Sequence, residues 1–78
     1  MSQADNKTKL QGLLVDLGEA LAPNTSNERK IAVLAAELRA AESTVNKWFY
    51  GVAAPRGAAF NYLCGDIQRR LTERQLGP

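Results

Sequence analysis

Ser43, Asn46, Lys47 and Tyr50 fall on one side of a single helical stretch, opposite an apolar side made by Ala41, Val45, Trp48 and Phe49. On a wheel of about 100° per residue the apolar residues lie within about 60° of Val45, and Glu42 stands at the edge of the polar side. Such a split is ordinary for an amphipathic helix. The residue types set this one apart, because all four polar residues are donors or acceptors short enough to read a nucleic-acid groove. Asparagine pairs bidentately with adenine, lysine donates to guanine, and the Glu42 carboxylate suits a cytosine amino group. Near a helix N-terminus, Glu42 equally complements the helix dipole. A helix from about Ala41 to Tyr50 spans about 15 Å, which suits a major groove about 12 Å wide.

A second helix must hold that surface in place. Leu34, Ala35 and Leu38 give an apolar face just upstream, with only a tight turn's worth of chain before Ala41. Two short amphipathic helices joined this closely must cross, which is helix-turn-helix geometry over about residues 31–51. The upstream helix opens at Thr25-Ser26-Asn27-Glu28. Thr25 with Glu28 fits a capping box, and Ser26 and Asn27 are competing caps, so its start is fixed to within two residues. It ends near Arg39. Gly51 suits the left-handed stop of the following helix, and Val52 to Arg56 form a linker in which Pro55 forbids helix through Ala54.

Helices flank this pair on both sides. Leu10, Leu13, Leu14, Leu17 and Leu21 make one continuous helical stripe, closed by Pro23. Gly12 and Gly18 weaken it by up to about 1 kcal/mol each, so either the stripe outweighs them or they admit another helix closely. Phe60, Leu63, Cys64, Ile67 and Leu71 repeat the spacing, with Gly65 a point where that helix can break in two. No segment alternates with period two. The expectation is an all-α, compact domain of four to five helices over residues 8–76, preceded by a loose polar segment, residues 1–7.

Arg29 and Lys30 lie at the start of the second helix, where free amides also favour a phosphate. Thr44 flanks the polar helix and Arg56 follows the linker; together the four make a candidate set of backbone anchors. Arg69, Arg70 and Arg74 alternate with Asp66 and Glu73, which reads as a salt-bridged solvent face.

Bulk properties narrow the function classes. The chain has 78 residues, enough for one domain and too few for a catalytic cleft between subdomains. A chain of this size buries only about 60% of its unfolded surface, so a partner subunit would add needed core. Ten Lys and Arg stand against eight Asp and Glu, a net charge of +2. With one cysteine and no histidine, a disulfide framework, a zinc finger and histidine acid–base chemistry are excluded within one chain. Cys64 sits in an apolar row and reads as core. No enzyme activity, metal, cofactor or small-molecule ligand is expected. No apolar run reaches the ~20 residues that span a bilayer, and MSQADNKTK lacks the apolar stretch of a signal peptide. A cytoplasmic setting follows.

Leu34-Ala35-Ala36-Glu37-Leu38, then Ser43-Thr44-Val45-Asn46-Lys47-Trp48 and Gly51, resembles the Cro- and phage-repressor-like (lambda-repressor-like) helix-turn-helix family. In that family a small Ala lies where the helices cross, as Ala35 would here. A branched apolar residue packs beneath the recognition helix, as Val45 would, a large one follows, as Trp48 would, and Gly closes the helix, as Gly51 would. Arg39 stands where the family usually has Gly, so a non-Gly residue must take a left-handed or altered turn. Ala41 replaces the frequent Ser or Thr cap, leaving the second motif helix without one. Trp48-Phe49-Tyr50 also evokes a homeodomain, but Gly51-Val52-Ala53-Ala54 supplies none of the basic run that family needs.

The resemblance implies a sequence-specific transcriptional regulator in a prokaryotic cytosol or nucleoid, of phage or plasmid type, acting as a repressor on double-stranded DNA. Base contacts would come from Glu42, Ser43, Asn46, Lys47 and Tyr50, and phosphate contacts from Arg29, Lys30, Thr44 and Arg56. A homodimer is expected, with recognition helices about 34 Å apart on an inverted repeat whose half-sites lie about ten base pairs apart. Leu71 and Leu76 on the last helix are the expected dimer contact. The rival reading is a helical protein-interaction module, an adaptor or antirepressor, without DNA affinity.

Overall fold

A computed structural model describes residues 3–76, with side chains over residues 5–74. Four helices follow in order: α1 (Gln3–Leu21), α2 (Asn27–Leu38), α3 (Glu42–Phe49) and α4 (Gly57–Leu76). No strand occurs among the described residues. The all-helical expectation therefore holds, with four helices. Among the described residues no helix is long and apolar enough to cross a membrane.

α1 is the hub, packing on α2, α3 and α4, while α2 and α3 pack on each other. Its leucine stripe explains this role: Leu10, Leu14 and Leu17 are fully buried, with Leu13 and Leu21 at the margin of the same core. Each such leucine contributes about 1.5–3 kcal/mol relative to an exposed one. α1 and α2 close tightly at Gly18, where an added Cβ would lie 3.4 Å from Leu34 Cδ1 and from Lys30 Cβ. Gly12 meets no such neighbour. Only one of the two glycines, then, serves a close approach.

Several boundaries differ from expectation. α1 begins at Gln3, so residues 3–7, set apart as loose, are helical. Asp5 complements the dipole in the first turn, and Asn6 and Lys7 are half-buried; residues 1 and 2 lie outside the described residues. The capping box at Thr25 and Glu28 does not form. Ser26, in extended conformation, caps α2 and accepts from the Arg29 backbone N–H at 3.1 Å. The Thr25 hydroxyl instead donates to the Ala22 carbonyl at 2.6 Å, bracing the α1–α2 corner. α4 runs unbroken through Gly65. Its stripe enters the core as expected, with Phe60, Cys64 and Ile67 buried. Burial pushes the Cys64 thiol up, against a smaller opposing pull from Lys9, so it stays a protonated packing group.

Candidate nucleic-acid interface

The α2–α3 connection is held by backbone hydrogen bonds, with Leu38 and Ala40 packed on the core beside them. Arg39 takes the left-handed conformation (φ 56°, ψ 46°). Around it the Ala40 N–H bonds the Ala35 carbonyl at 3.0 Å and the Arg39 N–H bonds the Ala36 carbonyl at 3.4 Å. This is the paired hydrogen-bond pattern of a Schellman stop, normally built on glycine. α3 then starts at Ala41, which makes no side-chain cap, as its methyl dictates. The far end repeats the device with Gly51 at φ 71°. There the Val52 N–H bonds the Lys47 carbonyl at 2.8 Å and the Gly51 N–H bonds the Trp48 carbonyl at 3.2 Å. α3 is thereby limited to eight residues, about 12 Å long.

Inward, α3 is locked by Val45 and Phe49, both buried, with Trp48 packed at the core's margin. Ala35 is buried in the same cluster, where α2 and α3 pack together. Outward, Glu42, Ser43, Thr44, Asn46, Lys47 and Tyr50 are exposed. The Tyr50 ring stands edge-on to Phe49, with centroids 5.3 Å apart at 84°. That contact restricts the ring without covering it. Glu42, Ser43, Asn46 and Lys47 line one open groove of about 500 Å³, with Glu28 on the α2 side and Ile31 as its apolar floor. Four of the five residues expected to meet base edges are therefore brought together. Tyr50 lies beyond that groove, past the C-terminal end of α3.

The expected backbone anchors divide. Arg29, Thr44 and Arg56 are exposed. Lys30 is not, which corrects its assignment as a phosphate contact. Its side chain is only 10% exposed, its Nζ donates to the Thr25 carbonyl at 2.7 Å, and it pairs with Glu19 at 3.4 Å. Position on the wheel is the physical reason: Lys30 faces α1 at Gly18, and its ammonium ties the α1–α2 corner. The amides at the start of α2 are also less free than expected, since Ser26 takes that of Arg29.

Asp66, Arg69, Arg70 and Glu73 of α4 form ion pairs, as read, with one addition. Arg69 pairs with Asp66 and Glu73 within the helix, and Arg70 pairs with Asp66 at 3.1 Å. Arg70 also reaches Glu37 on α2. A residue read as surface thus carries the side-chain link between α4 and α2. Partial burial raises the Asp66 carboxyl, but hydrogen bonds from Arg70 and Arg69 outweigh it and hold the group below the usual carboxylate range. Leu71, one of the two expected dimer contacts, is partly buried and partly open. It lies on the inward stripe of α4, half-buried against the core cluster, beside a groove with Asp16, Glu19, Ala20 and Arg74. The Leu76 side chain lies outside the described residues.

Sequence reasoning missed Glu28 and Ile31. Both hide behind other roles, Glu28 as half of a capping box and Ile31 as an ordinary apolar helix position. The one available signal was Ser26, which competes with Thr25 for the cap and, on winning, leaves the Glu28 carboxylate without a capping partner. No protein-family model, no curated protein and no solved structure matches this chain.

Proposed function

We propose that this chain is a sequence-specific DNA-binding protein that regulates transcription, acting as a repressor and as a homodimer on an inverted repeat. In this reading α2 and α3 form a helix-turn-helix and α3 is the recognition helix. Ser43, Asn46 and Lys47, with Glu42, meet base edges in the major groove, and Tyr50 meets the groove wall. Arg29, Thr44 and Arg56 hold phosphates. The observation that carries the reading is the contrast between the two faces of α3. One face is fixed in the core by Val45 and Phe49, and the other presents short donors and acceptors on a shared groove. A rigid helix with polar residues at that spacing suits direct readout.

Glu28 and Glu42 in the same groove favour the rival reading, a protein-interaction surface, because they reduce its attraction for phosphate. Binding to the duplex upstream of the protein's own coding sequence, measured over a salt series, separates the two. Sequence-dependent affinity that falls steeply with salt supports the regulator. No binding at low salt selects the interaction module.

A further inference from the structure

We infer that Glu28 is a specificity-determining residue of the proposed interface, acting by penalising DNA that offers it no donor. The inference rests on the DNA-binding reading and adds a residue from outside α3. Glu28 sits in the first turn of α2 but has no capping task, because Ser26 takes the Arg29 amide. It is exposed, and it lines the groove that also holds Glu42, Asn46 and Lys47. The groove therefore carries two carboxylates and one ammonium.

An ionised carboxylate only accepts hydrogen bonds. In the major groove the available donors are the amino groups of cytosine and adenine; phosphates offer none and repel. A duplex that presents amino groups opposite α2 and α3 satisfies both glutamates. Any other duplex leaves a carboxylate desolvated beside phosphate, and like-charge juxtaposition of this kind suppresses wrong partners. Glu28 so lowers affinity for random DNA more than affinity for the cognate site. A net charge of only +2 is consistent with an interface that relies on selective contacts more than on bulk attraction.

The test compares wild type, Glu28→Gln and Asp16→Asn on random duplexes and on a duplex enriched by selection against the wild-type protein. Asp16→Asn makes the same change in net charge from the groove between α1 and α4. The expected result is a rise of about threefold or more in random-DNA affinity for Glu28→Gln, a smaller rise or a loss on the selected duplex, and little change for Asp16→Asn. Equal gains for both variants, or no gain for Glu28→Gln while wild type still discriminates, overturn the role of Glu28 alone. Failure of wild type to bind any duplex overturns the DNA-binding reading itself, and this inference with it.

Discussion

Asn46 and Arg29 represent the two kinds of contact the proposed interface requires. Asn46 is exposed at the shared groove, and its amide suits a base edge; Arg29 stands at the start of α2, where it suits a phosphate. Asn46→Ala is expected to cost about 1–3 kcal/mol on a cognate duplex and little on random DNA. Arg29→Ala should weaken both alike and make the salt slope shallower by roughly one unit per site. Titrations of both variants on both duplexes check this, and a uniform loss for Asn46→Ala would reverse the assignment. Lys30 makes the opposite kind of contribution. Because its ammonium is bonded to the Thr25 carbonyl and paired with Glu19, Lys30→Ala should lower stability by about 1–2 kcal/mol and leave the salt slope unchanged. Asp66 sets a pH limit. Its folded-state pKa lies below the usual carboxylate range, so its contribution is complete above that range and is lost as pH falls through the folded value. Thermal melts between neutral pH and pH 3 should show this loss in wild type and a shallower dependence in Asp66→Asn.

At the scale of elements, each end of α3 follows from one residue. Gly51 stops it in a left-handed conformation, and Ala41 starts it without a side-chain cap. Ala41 has the extended backbone (φ −68°, ψ 142°) a capping serine needs. Ala41→Ser should therefore stabilise the fold by about 0.5–1 kcal/mol, read as a higher midpoint in denaturant with an unchanged slope. Much of this level was legible in the sequence. Apolar stripes at Leu10–Leu21 and Phe60–Leu71 located the flanking helices, and the two amphipathic faces located a tight turn between them. That Arg39 would take a left-handed or altered conformation there came only from the family resemblance, and its φ of 56° agrees. What stayed hidden depended on competition between neighbours or on distant partners. Thr25 and Ser26 both suit a cap, and the winner is decided by the Ala22 carbonyl that engages Thr25. Lys30 and Arg70 resemble surface cations until α1 and Glu37 are packed beside them. The start of α1 at Gln3 lay outside the reading because its first turn carries no large apolar residue to extend the leucine stripe.

Across the whole molecule, the domain measures 36 × 26 × 19 Å and presents one α3. A single copy reads too few base pairs for useful specificity, whereas two side by side can set their recognition helices about 34 Å apart. Sedimentation on a cognate duplex is expected to give two chains per site, and one chain per site would contradict the dimer. Leu71, packed on the core on one side and open to the groove with Asp16, Glu19, Ala20 and Arg74 on the other, is the α4 position at which the proposed contact is to be sought. The central claim is that the exposed face of α3 reads DNA sequence, and affinity of the wild-type protein for selected and random duplexes across a salt series tests it most directly. The account predicts tighter binding to the selected duplex at every salt concentration, with both affinities falling as salt rises. Equal affinity for all duplexes, or no binding at low salt, would contradict it.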